Sequence, residues 1–266
     1  GKLPEVLAGF KEDIVLLAEE RFAMILDLLA QKRSATVLEL CDALDASEST
    51  IRRDLTQLDR QGLLKKVHGG ATLVGRTVFA DEPPMAAREE QSVEEKRLIA
   101  RAAAAMITEK DFIFLDAGST TLALAAALEG PALQAAYVTN GIAHARMLVQ
   151  KGCRTYLPGG QVRPITEAIT GPETLAALQH YNFTKAFMGA NGVSPAEGFT
   201  TPDPEEASIK TAALQRARER WFLVDNTKFD MVYSAVIGDI GCGAILTNHC
   251  PDPRYAQLTF VKECSV

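Results

Sequence analysis

Apolar positions between residues 20 and 61 recur at helical intervals. Phe22, Ile25, Leu26 and Leu29 share one face, which predicts a helix over 20–29. Thr36 and Glu39 have the spacing of a capping box, and Val37, Leu40, Cys41 and Leu44 form the stripe of a second helix behind it. Ser47 is a good N-cap for a third helix running to about Gln61, with Gly62 as C-cap. Its apolar face is Ile51, Leu55 and Leu58, spaced four and three apart. The period then shortens. Residues 63–67 and 71–74 read as two strands around His68-Gly69-Gly70.

Three helices and a hairpin over 18–75 are the layout of a winged helix-turn-helix. Residues 76–92, with Asp81-Glu82-Pro83-Pro84 and little apolar periodicity, read as a linker. Residues 1–17 read as a short helical preamble. From 93 to 266 helices alternate with short apolar runs. Helices are expected over 93–107, 121–128, 142–150 and 205–220. Strands are expected over 112–115, 135–139, 155–157, 186–188 and 221–224. That alternation implies an α/β domain with an open, mainly parallel sheet covered on both faces.

Composition narrows the class. The chain has 266 residues, 47% of them hydrophobic and 23% charged, as expected of a folded protein rather than a disordered one. No apolar run is long enough to span a membrane, and the first residues lack the pattern of a secretory signal. The five cysteines, Cys41, Cys153, Cys242, Cys250 and Cys264, are scattered, which points to reduced thiols in a cytoplasmic protein. The four histidines show no metal-ligand spacing, and neither a metal nor a cofactor is expected. The net charge of -6 argues against nucleic-acid binding when taken whole. Residues 49–76 reverse that inference, because six cations face two anions there and leave +4.

With Ile51, Leu55 and Leu58 packed inward, Ser49, Thr50, Arg52, Arg53, Thr56 and Gln57 remain for DNA on the third helix. Lys65, Lys66 and His68 sit on or beside the wing, where phosphate contacts are expected. Asp54 either salt-bridges an arginine and fixes its direction or solubilises the helix. The run Arg21, Ile25, Leu29, then Ser47-x-x-Thr50-Ile51-Arg52-Arg53-Asp54-Leu55, then Gly62 and His68-Gly69-Gly70-Ala71, resembles the DNA-binding domain of the DeoR family of bacterial transcriptional regulators.

In the second half, Asp116-Ala117-Gly118-Ser119-Thr120-Thr121 follows an apolar strand and opens a helix. Small residues admit an anion to the backbone amides, and the helix start favours negative charge. A tight strand-to-helix turn capped by Ser119 or Thr120 would look the same. Further polar loops end other strands: Thr139-Asn140-Gly141, Pro158-Gly159-Gly160-Gln161-Val162-Arg163, Gly189-Ala190-Asn191-Gly192 and Asp225-Asn226-Thr227-Lys228. Lys228 offers phosphate a point charge and Arg163 a planar fork. Glu206 and Lys210 are either an i,i+4 surface pair or, for Glu206, an acceptor of sugar hydroxyls.

These strings also resemble the effector domain of DeoR-family regulators, which is similar to ribose-5-phosphate isomerase and related sugar-phosphate-binding folds. The resemblance covers 20 to about 248. It implies phosphate binding by Gly118, Ser119, Thr120 and Thr121, in a pocket lined by Asp116, Asn140, Gly160, Arg163, Glu206 and Lys228. The expected function is a repressor of a carbohydrate catabolic operon that is released from operator DNA by a phosphorylated sugar. Two helix-turn-helix units at a fixed half-site spacing require a homodimer or homotetramer. The alternative is a sugar-phosphate isomerase or transferase with an appended DNA-binding domain, for which Asp116, Glu206 and Lys228 would supply acid–base groups.

Overall fold

The computed structural model describes residues 18–32, 34–60, 63–67, 69–73, 78–79 and 84–264. They form two units that divide near residue 76. The expected preamble 1–17, the C-cap Gly62 and the wing residue His68 lie outside the described residues.

The first unit contains α1 (Ala18–Lys32), β1 (Ser34–Thr36), α2 (Val37–Leu44), α3 (Glu48–Arg60), β2 (Leu64–Val67) and β3 (Gly70–Leu73). The capping box at α2 forms as expected. Thr36 Oγ1 accepts from the Glu39 amide at 3.2 Å, and Glu39 Oε2 accepts from the Thr36 amide at 2.8 Å. Ser47 Oγ accepts from the Thr50 amide at 3.3 Å and caps α3. Ile25, Leu29, Leu40, Ile51, Leu55, Leu58 and Leu64 form a core with no exposed surface. The two-stranded wing gains a third strand. β1 pairs antiparallel with β3, and the order is β1-β3-β2. Three residues are too few to show a strand's alternation, which is why β1 is not legible in the sequence.

The Gly69-Gly70 pair has a separate cause at each position. Gly69 turns the hairpin at φ +86°, a conformation side chains disfavour. A Cβ on Gly70 would lie 2.2 Å from the Ala35 carbonyl oxygen on β1. Asp54 proves to be a structural ion-pair partner. It is almost fully buried and accepts from Arg21 of α1 through Nε at 2.7 Å and Nη2 at 3.1 Å. This bidentate pair fixes the roll of α3 against α1.

The second unit contains β4 (Val78–Phe79), α4 (Met85–Glu89), α5 (Val93–Ala104), β5 (Phe112–Leu115), α6 (Ser119–Ala127), β6 (Ala136–Thr139), α7 (Ile142–Gln150) and β7 (Arg154–Tyr156). It continues with β8 (Gln161–Val162), β9 (Ile169–Thr170), α8 (Pro172–Leu178), β10 (Phe183–Met188), β11 (Gly192–Ser194), β12 (Gly198–Thr201), α9 (Pro204–Gln215) and β13 (Ala217–Leu223). It ends with β14 (Val232–Tyr233), β15 (Ala235–Gly238), β16 (Ala244–Thr247), α10 (Tyr255–Leu258) and β17 (Val261–Glu263).

Seven strands form one sheet in the order β17-β16-β13-β10-β5-β6-β7, every pair parallel. Alternation along the strands sends Ile113, Leu115, Phe187, Leu223 and Leu246 to the face covered by α5, α6 and α7. Phe114, Ala186, Met188, Phe222 and Ile245 face the other side, which packs against α9. Both faces are buried, as parallel sheets require. The order reverses between β5 and β10, and loops at the strands' carboxyl ends frame a crevice at that switch point.

Two sequence expectations are corrected. The helix over 205–220 ends at Gln215, because 217–223 pairs along β10 from Phe183↔Ala217 to Met188↔Phe222. The charged triplet Arg218-Glu219-Arg220 lies on exposed positions of that strand and hides its alternation. The stretch read as a linker carries β4, which pairs with β14, and the short helix α4.

If the Arg21–Asp54 pair sets α3, Asp54→Ala will cost about 1.5–3 kcal/mol, the range for hydrogen bonds to charged groups. The loss should appear as a lower urea midpoint for the helical unit in the full chain. Adding Arg21→Ala should cost less than the two single changes summed. An unchanged midpoint in Asp54→Ala would show the pair to be incidental.

Candidate functional site

In the first unit, α3 exposes Ser49, Arg52, Arg53 and Gln57 on one side, with Thr50 and Thr56 half-buried. Arg52 pairs with Glu48 one turn earlier at 3.1 Å, with both side chains 53% exposed. Such a surface pair contributes little and exchanges readily for a stronger acceptor. The hydroxyls of Ser49 and Thr50 lie 3.0 and 2.9 Å from Ser47 Oγ in the capping cluster. Thr56 Oγ1 donates to the Arg52 carbonyl at 2.7 Å and accepts from Lys66 Nζ at 2.7 Å. The Lys66 amide donates to Asp59 at 3.1 Å. Thr56 and Lys66 therefore brace the wing strand against α3, while Lys65 stays exposed. The result is a cationic helix face with a cationic strand held beside it, the arrangement that meets a phosphate backbone and a groove.

In the second unit, the loop after β5 is built by its neighbours. The Asp116 amide donates to the Phe187 carbonyl at 3.1 Å, and its carboxylate accepts from the Gly189 amide at 2.8 Å. Lys210 Nζ donates to the same carboxylate oxygen, and both charges are buried. Asn140 Oδ1 accepts from the Ala117 amide at 3.0 Å. Thr121 Oγ1 turns inward to the carbonyls of Asp116 and Gly118, at 2.6 and 2.8 Å. His144, also buried, brings Nε2 to 3.1 Å from Thr121 Oγ1 and 3.3 Å from the Gly118 amide. Burial pushes the His144 imidazole down to about 4, so it is neutral near pH 7. These contacts hold the first turn of α6 open toward a cleft.

That cleft is lined by Gly118, Ser119 and Thr120 of α6, Gly189 to Asn191 after β10, Lys228 after β13, and Arg88, Gln91 and Lys96. It is narrow and partly open to solvent, with a volume of about 30 Å³. Gly118 leaves space there. A Cβ on it would crowd Thr121 Oγ1 at 3.3 Å and lie 4.0 Å from Arg88 Nη2. Helix α6 starts at Ser119 with Gly118 as N-cap and no side-chain cap, so neither Ser119 nor Thr120 caps the turn. Both are over nine-tenths buried. The first amides of a helix have no intrahelical acceptor, and here they face three cations. Lys96 is 4% exposed and donates to the Arg88 carbonyl. Burial pushes its ammonium down to about 8; Asp225 opposes that shift, Lys228 and Arg88 add to it, and Glu89 opposes it. Asp225 itself is buried, with Oδ2 lacking a hydrogen-bond partner.

Of the ten effector residues expected from sequence, Gly118, Ser119, Thr120 and Lys228 line the cleft. Asp116, Thr121 and Asn140 shape the loop beneath it. Gly160, Arg163 and Glu206 lie elsewhere, around the hairpin β8–β9. Gly160 has φ +152°, and a Cβ there would lie 2.2 Å from Thr174 Oγ1, so close packing demands glycine. Arg163 is taken up by Asp203 at 2.7 Å and Glu206 at 3.1 Å. Glu206 also accepts from Thr166 Oγ1 at 2.6 Å. The surface i,i+4 reading of Glu206 and Lys210 is overturned: both are buried, and each pairs with a different charge. Sequence reasoning missed Arg88, Gln91, Lys96 and His144, whereas Asn191 lies in a polar loop it named. Lys96 was findable, because it shares the buried stripe of α5 with Ile99, Ala100 and Ala103. His144 likewise sits one turn from Leu148 on the buried side of α7.

A larger, mostly apolar groove of about 380 Å³ runs along α5 and α6; Glu89, Lys96, Arg97, Arg101 and Ser119 are among its lining, and it shares Lys96 and Ser119 with the cleft. Among the described residues no group of three or more His, Cys, Asp or Glu is placed to hold a metal ion. No helix among them is long and apolar enough to cross a membrane.

A winged helix-turn-helix with a cationic reading face, together with a parallel α/β unit carrying a polar cleft, defines a DNA-binding regulator with a separate sensor unit. Comparison with known proteins gives the family. Residues 21–77 match the model of the DeoR-like helix-turn-helix domain, and residues 91–247 match the DeoR C terminal sensor domain. The chain is 38% identical over 250 residues to the uncharacterized HTH-type transcriptional regulator FruR of Bacillus subtilis, covering 93% of this chain and 98% of that one. It is 35% identical over 214 residues to the lactose phosphotransferase system repressor of Streptococcus mutans, covering 79% and 83%. The chain belongs to the DeoR family of transcriptional regulators. Its relatives bind DNA rather than catalyse a reaction, which removes the isomerase or transferase alternative.

Among solved structures it is similar to ribose 5-phosphate isomerase A of Methanocaldococcus jannaschii (TM-score 0.39, 15% identity, covering 52% of this chain and 55% of that one). It is also similar to the sorbitol operon regulator SorC of Klebsiella pneumoniae (TM-score 0.37, 12% identity, covering 77% and 88%). At these TM-scores neither likeness bears on the site.

The depressed Lys96 gives the cleft a pH signature. Protonated Lys96 attracts an anion, and that form is lost as pH rises through about 8. Sulfate keeps one charge state over this range and serves as the probe. Its affinity, read by thermal shift, should fall several-fold between about pH 7 and about pH 9. Lys96→Met should bind more weakly and lose the pH dependence. A wild-type affinity that stays flat across that range would remove Lys96 from the anion site.

Proposed function

We propose that this protein is a repressor of a carbohydrate catabolic operon whose grip on operator DNA is weakened by a phosphorylated sugar. The observation carrying this reading is the cleft, where three cations and the open first turn of α6 converge with two hydroxyl residues. Helix-start amides and fixed cations favour a phosphoryl group. Relatives named as lactose phosphotransferase system repressors support the sugar connection.

In this reading Arg52, Arg53, Gln57 and Ser49 face base edges, and Lys65 contacts phosphate. Lys66 and Thr56 set the wing, and Thr50 sets the start of α3. His68 is proposed as a phosphate contact from sequence alone. Gly118, Ser119, Thr120 and Lys228 hold the effector's phosphoryl group together with Lys96. Asp116, Thr121 and Asn140 position that loop, and Gly160, Arg163 and Glu206 support the neighbouring hairpin. The working form is a homodimer or homotetramer, since paired half-sites require paired reading helices. The effector acts by binding the arrangement with poor DNA affinity more tightly, a coupling of about 1–3 kcal/mol.

Fluorescence anisotropy with the protein's own promoter DNA tests this directly. Arg52→Ala should weaken specific binding by about 1–3 kcal/mol if the side chain reads a base. Sugar phosphates should lower wild-type affinity, and Ser119→Ala combined with Lys228→Ala should abolish that response. Release of the double variant by sugar phosphate would place the effector site elsewhere, and undiminished affinity in Arg52→Ala would misplace the reading face.

A further inference from the structure

Two opposite charges are buried beside the cleft. Lys96 is 4% exposed and Asp225 0%. Among the described residues neither forms a salt bridge. A buried charge left alone is costly, so each needs compensation from its surroundings.

Asp225 follows β13, which ends at Leu223. Its Oδ1 accepts from the Thr227 amide at 2.9 Å and from the Thr227 hydroxyl. Its carbonyl accepts from the Lys228 amide at 3.0 Å. These bonds fix the carboxylate and leave Oδ2 buried with no hydrogen-bond partner, a state that calls for a reason. Leu223 and Lys228, on either side of Asp225 in the chain, line the cleft. Lys96 reaches the same place from α5. It shares a buried stripe with Ile99, which packs in one core with Leu223. An ammonium carries three protons, and the Arg88 carbonyl takes one of them. Four charged groups act on Lys96: Asp225 and Lys228 after β13, and Arg88 and Glu89 on α4. Of the two anions, Glu89 is exposed, whereas Asp225 is buried and acts more strongly.

Resting on the reading of the cleft as an anion site, we infer that Asp225 is the positioning residue for Lys96. Through Oδ2 its carboxylate holds the Lys96 ammonium charged and directed into the cleft, without itself touching the ligand. The remaining ammonium protons are then divided between Asp225 and a phosphoryl oxygen. Removing the carboxylate charge has two effects of opposite sign. An anionic ligand loses a repelling neighbour, and the ammonium loses the opposite charge that favours its protonated form, so it gives up its proton at lower pH.

The test measures sulfate affinity of the full chain by isothermal titration from about pH 6 to about pH 9, for the wild type, Asp225→Asn and Thr227→Ala. Lys96 is titrated separately, without ligand, through its Cε carbon resonance, identified by its loss in Lys96→Met. Asparagine keeps an acceptor for Thr227 and removes the charge. Asp225→Asn should bind sulfate at least as tightly as the wild type at about pH 6 and several-fold more weakly at about pH 8, with Lys96 titrating about one pH unit lower. Thr227→Ala breaks the cap and keeps the charge, and its Lys96 should titrate with the wild type. An unmoved Lys96 titration in Asp225→Asn would overturn the inference. Sulfate binding weakened equally at every pH would overturn it too, because that is what a disturbed loop alone produces. If sulfate does not bind the wild type, the anion-site reading falls and the ligand role of Asp225 falls with it, while a shifted Lys96 titration would still establish the pairing.

Discussion

The second unit is organised around one buried ion pair, Asp116 with Lys210. Asp116 is 1% exposed and Lys210 4%, so neither charge has water to fall back on. Isolated, either would cost several kcal/mol, and removing one partner would strand the other. That constraint propagates. To keep its charge satisfied, the Asp116 carboxylate also takes the Gly189 amide, which fixes the loop after β10. Its carbonyl takes the Thr121 hydroxyl, which fixes the first turn of α6. Lys210 anchors α9 beneath the same point. The helix start that faces the cleft is held open because everything behind it is bonded.

The first unit uses the same device at smaller scale. Arg21 and Asp54 form a nearly dry bidentate pair that orients α3, leaving its other charged residues for the surface. Both units therefore use a buried ion pair to set geometry and leave further cations on the surface or around the cleft. This explains how a chain of net charge -6 serves as a DNA-binding regulator. Sign is distributed by position, with arginines and lysines on α3 and β2, and with Arg88, Lys96 and Lys228 around the cleft.

Much of this was legible in the sequence. The 3.6-residue spacing in α1, α2 and α3, the capping box at Thr36 and the paired glycines of the wing are local features, and local physics sets them. The parallel sheet followed from apolar runs between helices. The strand-to-helix loop at Gly118 was readable from small residues that follow an apolar run and precede a helical one. What was not legible is tertiary. Arg163 and Glu206 read as ligand groups, and the structure pairs Arg163 with Asp203 and Glu206, and Glu206 with Thr166, partners up to about forty residues away. Lys96 and Arg88 were missed for opposite reasons. Lys96 carries a readable signal, a lysine on an apolar stripe, whereas α4 lies in a polar stretch with no periodicity. The strand at 217–223 was hidden because its charged residues sit where the sheet meets solvent.

The central claim is that the cleft recognises the phosphoryl group itself. Isothermal titration of the wild-type chain with fructose 6-phosphate and with fructose tests it most directly. The account predicts saturable binding of the phosphorylated sugar and none of the free sugar at the same concentration. Equal binding of the two would contradict it.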